Sequence, residues 1–153
     1  MDVDLPFKVV AVADLAGHED RAWHAAWNPK KPLIASCSAD KTVRLYSFAT
    51  DEFHHISTIS TGHAKSVRAL AWTPSGETIA TASFDANIGI WEQETDEAEW
   101  ECISTLEGHE TECKSVAYSC NGNYLASCSR DKTVWIWQGK HIHSLLLPKY
   151  QTI

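Results

Sequence analysis

The sequence predicts an all-β protein built from a unit that repeats about every 45 residues. A Gly-His pair occurs three times, and its histidines, His18, His63 and His109, lie 45 and 46 residues apart. Each histidine is followed 22 residues later by an aspartate, and each aspartate is followed six residues later by an aromatic residue. The aspartates are Asp40, Asp85 and Asp131, and the aromatic residues are Tyr46, Trp91 and Trp137. Because this spacing of histidine, aspartate and aromatic residue occurs three times in one register, we expect one structural unit to be repeated three times.

Short apolar or β-branched runs separated by turn residues fill each unit, which is the pattern of strands rather than of helices. In the second unit these runs cover residues 68–72, 77–82, 87–91 and 100–106. Four short strands joined by tight turns predict one small antiparallel sheet per unit. Such a sheet cannot bury both of its faces alone, so we expect like sheets to stack around an axis, as in a β-propeller.

The Gly-His pair, the aspartate turn and the aromatic residue at the strand end resemble the WD-repeat family over residues 17–138. Tyr46 stands where the family has tryptophan, and the terminal aspartate of the family motif is replaced in all three repeats. The replacing residues are Ser47, Glu92 and Gln138. The resemblance implies a β-propeller of four-stranded antiparallel blades, normally seven, of which this chain would hold three.

The resemblance also divides the chain. The implied repeats are residues 17–61, 62–107 and 108–138, and the third is incomplete. Residues 1–16 precede them, and their apolar run over residues 7–15 corresponds to an outer strand in the family. Residues 139–153 form a tail of different composition, in which residues 141–147 could supply a makeshift fourth strand for the third repeat.

The composition argues against some classes of partner. Thirteen basic and 20 acidic side chains give a net charge of −7, which disfavours binding to nucleic acid through a basic surface. Six of the acids lie within residues 92–101, which contain no base; this run could dock a basic partner, although a solvated hairpin end is favoured. The chain has no recognisable membrane or export segment, and its five cysteines are widely spaced, so we expect a soluble intracellular protein.

Each unit carries the residue types of a hydrolytic triad, with a hydroxyl four residues before the aspartate: Ser36, Thr81 and Ser127. A hydrolase would use such a set for nucleophilic attack. An enzyme needs one site, however, whereas three copies in one register indicate a task performed once per structural unit. The WD-repeat resemblance implies a hydrogen-bond chain from the aromatic side chain through the hydroxyl and the histidine to the aspartate. Such a chain satisfies buried polar groups, each of which would cost roughly 1–3 kcal/mol if unpaired. Tyr46 is expected to weaken the first copy, because a phenol reaches differently from an indole.

The cysteines do not predict a metal or iron-sulfur site. The sequence contains no Cys-x-x-Cys pair, which thiolate-bound clusters commonly use. Cys37 and Cys128 occupy the strand position that holds Ala82 in the second repeat, which indicates a small apolar site. Cys120 lies in a turn and is expected to be exposed. We therefore predict no metal and no cofactor.

Partner binding is expected at the end of the stack where the aspartate turns and the Gly-His loops emerge. Aromatic residues and arginine dominate the energetics of protein interfaces. The residues before the turn aspartates and those near the start of each first strand supply both kinds. The predicted partner-binding residues are Trp23, Arg68, Phe84, Lys114 and, as the foremost candidate, Arg130. A solvated turn residue or an ion pair within the chain is the alternative for Arg130.

Two long segments narrow the resemblance. SVRALAWTPSGETIATASFDANIGIWEQE and EWECISTLEGHETECKSVAYSCNGNYLASCSRDKTVWIW resemble the WD-repeat subunits of the cytosolic iron-sulfur protein assembly machinery. CSRDKTVWIW, preceded by EGHE and the GNYLA turn, makes the match specific. The resemblance implies a non-enzymatic scaffold of cytosol and nucleus that helps deliver clusters to apoproteins outside mitochondria. Its partners would be the other subunits of the targeting complex and the apo iron-sulfur client proteins, with no nucleic acid, no membrane and no bound cluster.

Other functions remain open at this point. After Trp137 the family continues with further repeats, whereas QGKHIHSLLLPKYQTI resembles unrelated sequence joined to a truncated repeat, so a truncated form is expected. A WD-repeat adaptor of another pathway, such as a ubiquitin-ligase substrate receptor or a signalling scaffold, is the main alternative. A hydrolase that uses one of the histidine triads is the third hypothesis.

Overall fold

A computed structural model describes residues 9–139 of the chain. The regular structure in this range consists of strands, which form three antiparallel sheets. Blade 1 contains β1 (Ala22–Trp27), β2 (Leu33–Ser38), β3 (Thr42–Ala49) and β4 (Glu52–Ser60). Blade 2 contains β5 (Val67–Trp72), β6 (Thr78–Ser83), β7 (Ile88–Gln93) and β8 (Trp100–Leu106). Blade 3 contains β9 (Cys113–Tyr118), β10 (Tyr124–Ser129) and β11 (Val134–Gln138). None of the described residues belongs to a helix that could cross a membrane.

The turn between the second and third strands has the same form in every blade. The residue after the turn aspartate has a positive φ, 69° at Lys41, 78° at Ala86 and 73° at Lys132. A left-handed conformation at a residue with a Cβ costs roughly 1–2 kcal/mol, so other contacts must offset it. In each turn the aspartate carboxylate accepts the backbone N–H two residues later, and the hydroxyl of a preceding serine accepts the aspartate N–H. The Ser-x-Asp sequence therefore builds the turn.

Two apolar layers hold the blades together. Between blades 1 and 2 the largest buried side chains include Val43, Leu45, Leu70 and Ile79. The layer between blades 2 and 3 is formed by Ala69, Ala80, Ala82, Ile88, Ile90, Cys113, Val116 and Leu125. Blade 2 has a neighbour on both faces, and all six residues of β6 are buried. The small alternating side chains of β6, TIATAS, thus match a strand that lies between two packed sheets.

The outer face of blade 3 has no covering sheet among the described residues. Ile88 and Ile90 of blade 2 are 0% and 4% exposed because blade 3 packs on them. Their counterparts in blade 3, Val134 and Ile136, are 68% and 56% exposed. Identical positions of the repeat are therefore core in one blade and surface in another.

The predicted all-β architecture of stacked antiparallel blades is confirmed. Blades 1 and 2 have four strands, and blade 3 has three within the described residues. The outer strand expected over residues 7–15 is wrong for the part that the structure describes, since residues 9–16 form no strand. A strand needs a hydrogen-bonded neighbour, and no strand of the three sheets pairs with that segment. The makeshift strand at residues 141–147 lies outside the described residues.

Candidate functional site

The polar chain of blade 2 links four segments of the repeat. The Trp91 indole Nε1–H donates to Thr81 Oγ1 at 2.9 Å, and Thr81 Oγ1 lies 3.0 Å from His63 Nε2. His63 Nδ1 lies 3.0 Å from Asp85 Oδ2, whose carboxylate also accepts the N–H of Ala64. Thr81 is fully buried, and Trp91 and His63 are 4% and 9% exposed. This series of hydrogen bonds therefore runs from the buried middle of the sheet to its tight turn.

Blade 3 repeats this chain. The Trp137 indole donates to Ser127 Oγ at 2.9 Å, and Ser127 Oγ lies 2.8 Å from His109 Nε2. His109 Nδ1 lies 2.8 Å from Asp131 Oδ2. Ser127 is 2% exposed. The same four residue types thus meet in the same order in the second and third repeats.

Blade 1 has the same hydrogen-bond chain, but without the bond from an aromatic side chain to the serine. His18 lies 2.8 Å from Ser36 Oγ and 2.9 Å from Asp40 Oδ2. The Tyr46 hydroxyl, however, donates to the backbone carbonyl of Ala16 at 3.4 Å. Placing Tyr46 in the hydrogen-bond chain was therefore wrong, because its hydroxyl finds a partner in the loop before the sheet instead of the serine.

Hydrogen bonds keep the turn aspartates ionised. Burial alone would raise the pKa of Asp40, but the Thr42 hydroxyl and the Glu19 N–H outweigh it and hold that pKa well below its usual range. The Thr133 hydroxyl has the same effect on the pKa of Asp131, again against burial. Burial is likewise outweighed at Asp85, where the Asn87 N–H and His63 lower the pKa. A carboxylate beside Nδ1 makes that nitrogen the donor, so Nε2 of each histidine accepts the hydroxyl proton.

These lowered pKa values predict a loss of stability in acid. A carboxylate whose pKa is lower in the folded than in the unfolded state stabilises the fold above the unfolded value, about 3.9, and loses this effect as the pH falls through the folded value. We expect the urea midpoint to be level above about pH 5 and to fall below about pH 4. Asp131→Asn should lower the midpoint at neutral pH and flatten the acid decline. Asp96→Asn, at a side chain that is 83% exposed, is the control and should change neither. An equal decline in both variants would contradict the assignment.

Burial limits what the hydroxyl groups can do chemically. A nucleophile must reach its substrate, whereas Thr81 and Ser127 are enclosed between strands and each receives an indole N–H. The histidine that would act as the base is 9% exposed at His63 and 7% exposed at His109. The arrangement is therefore suited to satisfying buried polar groups.

All five cysteines are free thiols. Burial raises the pKa of the Cys37 thiol to about 12 and that of the Cys113 thiol to about 11, so both are protonated at neutral pH. Cys102 and Cys120 are exposed, and Cys128 is half-buried. Within residues 9–139, no three histidine, cysteine or acidic side chains are grouped closely enough to hold a metal ion.

A β-bulge begins the first strand of every blade. The pairing of β1 with β2 skips Trp23, that of β5 with β6 skips Arg68, and that of β9 with β10 skips Lys114. A bulge leaves one residue unpaired and redirects its side chain, and it is frequent beside functional sites. The bulges therefore carry three of the five residues predicted to bind a partner.

Backbone hydrogen bonds bring the turns to the same end of the blades. Phe84 N–H donates to Ser66 O at 3.0 Å, and Arg130 N–H donates to Glu112 O at 3.0 Å. Ala39 N–H makes the equivalent bond to Arg21 O in blade 1. Each bond joins a turn residue to the residue 18 positions earlier, just before the first strand. Turn and bulge residues consequently share one rim.

Four side chains from three blades form a continuous row on this rim. Lys114 Nζ lies 3.9 Å from the centre of the Phe84 ring, and the Phe84 and Trp23 ring centres are 6.2 Å apart. Arg68 Cζ lies 5.2 Å from the centre of the Trp23 ring. All four residues are half-buried. We call these four and Arg130 the turn-end surface.

Arg130 is held by an ion pair. Its Nη1 lies 3.1 Å from Glu112 Oε1, and its side chain is 71% exposed. The Glu112 carboxylate has a lowered pKa, owing to its own backbone N–H and to Arg130. Glu112 was not among the predicted site residues. The 18-residue spacing between each turn residue and its strand start would have identified it as a neighbour of Arg130.

The comparisons with known proteins agree with this architecture. The family model described as "WD domain, G-beta repeat" matches residues 100–138, and the model described as "Anaphase-promoting complex subunit 4 WD40 domain" matches residues 25–105, more than half of the chain. The chain belongs to the WD40-repeat family. The WD40 motif residues of repeats two and three are those that form the complete polar chains.

The curated relatives are named as probable cytosolic iron-sulfur protein assembly proteins. "Probable cytosolic iron-sulfur protein assembly protein 1" of Mycosarcoma maydis is 46% identical over a segment that covers 37% of this chain and 16% of the relative. The protein of the same name from Yarrowia lipolytica is 50% identical, with the same two coverages. "Probable cytosolic iron-sulfur protein assembly protein CIAO1 homolog" of Chlamydomonas reinhardtii is 41% identical over 42% of this chain and 19% of the relative. The matched segments therefore span less than a fifth of each relative.

Proposed function

We propose that this WD40 chain acts as a non-catalytic scaffold in cytosolic iron-sulfur protein assembly and docks partner proteins on its turn-end surface. The observation that carries the proposal is the row of Lys114, Phe84, Trp23 and Arg68, to which three blades contribute. The names of the relatives support the pathway. The partners would be the other subunits of the targeting complex and apo iron-sulfur client proteins, in the cytosol and in the nucleus.

The chemistry of the turn-end surface supports protein binding. Two aromatic rings present half-buried apolar area, and cations from neighbouring strands lie over their faces. Each cation keeps its ring contact without a partner, so the surface is ordered before binding and the entropy lost on docking is reduced. Arg130 adds an exposed guanidinium at the edge. We therefore expect a partner segment with apolar residues and carboxylates.

In this proposal the three polar chains hold the repeats in shape and perform no catalysis. They recur in each blade, and their hydroxyls are buried in blades 2 and 3. The scaffold would hold no cluster itself, and its role would be to bring other proteins together.

Affinity capture tests the pathway. The tagged chain, incubated with a soluble extract of its source cells, should retain known iron-sulfur assembly subunits that mass spectrometry identifies. A Trp23→Ala/Phe84→Ala variant, which removes both rings of the turn-end surface, should retain less of them. Consistent recovery of ubiquitin-ligase or signalling proteins without any iron-sulfur assembly factor would overturn the proposal in favour of an adaptor of another pathway.

A further inference from the structure

Blade 2 contains a pocket beside its Gly-His loop. A cavity of about 200 Å³ lies above Gly62 and His63 and is bounded by Gly89 and Trp91 on β7 and by Cys102 and Thr105 on β8. Apart from Gly62 itself and its two neighbours in the chain, no residue has a heavy atom within 4 Å of where a Cβ on Gly62 would be. Blade 2 is packed on both faces, so this opening does not arise from a missing neighbour.

In each of the other two blades a side chain lies against the glycine of the Gly-His pair. The position four residues after the turn aspartate is Arg44 in blade 1, Gly89 in blade 2 and Trp135 in blade 3. A Cβ on Gly17 would collide with the Arg44 guanidinium, and a Cβ on Gly108 would collide with the Trp135 ring. In blade 3 the Trp135 ring lies 5.2 Å from that of Trp137 and 5.5 Å from that of His109. The Arg44 and Trp135 side chains thus lie against the Gly-His loops of their own blades, whereas the pocket is open beside Gly62 in blade 2.

Asp85, the carboxylate beside the pocket, also lacks one hydrogen bond that its counterparts make. Asp40 Oδ1 and Asp131 Oδ1 each accept a backbone N–H and a threonine hydroxyl, the latter at 2.6 Å. In blade 2 the threonine position is Asn87, and Asp85 Oδ1 accepts its backbone N–H at 3.0 Å. Asn87 has no hydroxyl, so one acceptor position that is used in both sisters is left open. The Asp85 side chain is 10% exposed, and Asp85 lines the pocket.

We infer that this pocket of blade 2 binds the guanidinium group of an arginine side chain from a partner protein. In blade 1 the Arg44 guanidinium lies beside Gly17, the glycine of the Gly-His pair, so the repeat accommodates a planar cation next to this loop. Asp85 supplies an acceptor and a negative charge, which favour a planar cation over an indole. A cavity of this size accepts one side chain and is smaller than a typical pocket for a drug-sized ligand.

The lowered pKa of Asp85 agrees with this choice. Hydrogen bonds outweigh burial there, so the group is ionised at neutral pH. This inference concerns blade 2 alone and is independent of the iron-sulfur pathway.

Titration with small probes, followed by NMR, tests the pocket directly. The probes are N-acetyl-arginine amide, N-acetyl-lysine amide and free arginine, and the reporters are the Trp91 indole N–H and the Gly62 and Gly89 amides. The arginine amide should shift these signals saturably with a dissociation constant of roughly millimolar size, about tenfold tighter than the lysine amide. Tighter binding of free arginine than of the amide would point to a metabolite in place of a protein side chain. Equal shifts with arginine and lysine amides, or none that saturate, would overturn the inference.

Two variants test the role of the Asp85 acceptor and the role of the cavity separately. Asn87→Thr restores the hydroxyl of the sister blades and should weaken arginine binding about tenfold while leaving the cavity open. Cys102→Trp places a large ring at the pocket from the exposed strand β8 and should abolish binding. Ile103→Trp, the same ring on the next residue of β8, is the matched control and should bind normally. Unchanged binding in both Asn87→Thr and Cys102→Trp, with each variant folded by its amide spectrum, would rule the site out.

Discussion

Replacing Thr81 with valine is expected to lower the free energy of unfolding by about 3 kcal/mol. Valine has nearly the shape of threonine, so the change opens no cavity and removes only hydrogen bonds. The Trp91 indole N–H and His63 Nε2 would both lose their partner at a fully buried position. A buried polar group without a partner costs roughly 1–3 kcal/mol, and two such groups make this a large effect for one substitution.

Ser36→Ala in blade 1 is the internal control. Its hydroxyl serves His18 but no aromatic residue, because Tyr46 bonds to Ala16. We therefore expect a loss of about 1 kcal/mol. Urea unfolding followed by tryptophan fluorescence measures both variants, and a constant dependence on denaturant would show that the unfolding reaction itself is unchanged. If the two losses were equal, the indole would contribute nothing to the chain of blade 2.

Ser127→Ala extends the comparison to blade 3 and addresses catalysis. It removes the partner of the Trp137 indole and of His109, so its cost should exceed that of Ser36→Ala. Assays with ester and phosphate-ester substrates should detect no activity in either the parent chain or the variant. A hydrolysis that is present in the parent and disappears in a folded Ser127→Ala protein would favour the hydrolase hypothesis instead.

Arg130→Glu is expected to weaken binding of the partner complex about tenfold or more, with the fold intact. The substitution reverses an exposed charge at the edge of the turn-end surface and places a second carboxylate beside Glu112. The parent ion pair is largely exposed, so its loss should change stability little. Surface plasmon resonance with the captured partner subunits would measure affinity and dissociation rate, while thermal unfolding verifies the fold.

Lys30→Glu provides a matched change of charge. Lys30 is exposed in the connection between β1 and β2, at the end of its blade opposite to the aspartate turn. A partner docked on the turn-end surface should bind this variant like the parent chain. Equal weakening by both substitutions would indicate a general effect of net charge, and unchanged binding by Arg130→Glu would remove Arg130 from the proposed site.

Much of the fold was predictable because its signals are local and periodic. The spacing of His63, Thr81 and Asp85 recurs in every repeat, and a hydrogen-bond chain within one sheet needs only that spacing and the strand register. The turn chemistry is equally local, since within the turn each aspartate bonds to groups two residues away. The alternation of strand and turn residues likewise predicted the antiparallel sheets.

Other features depended on contacts between distant groups. Tyr46 carried no signal that its hydroxyl would bond to Ala16, because that contact joins residues 30 positions apart in the chain. The skipped residues of the bulges arise from strand register, which a one-residue shift alters completely. The pocket of blade 2 also depends on the folded structure, because residue spacing alone does not show which side chains lie beside each Gly-His loop.

The sequence alone thus specified the repeat, its strands and the partners within each sheet, since these follow from residue spacing along one stretch of chain. The stacking of the blades settled which faces are buried and which side chains form the turn-end surface. Ile88 is core and Val134 is surface at the same repeat position, and Lys114, Phe84 and Trp23 meet from three different blades. Burial and contact between blades depend on how sheets pack in space, and residue spacing within one repeat carries no information about the neighbour it will meet.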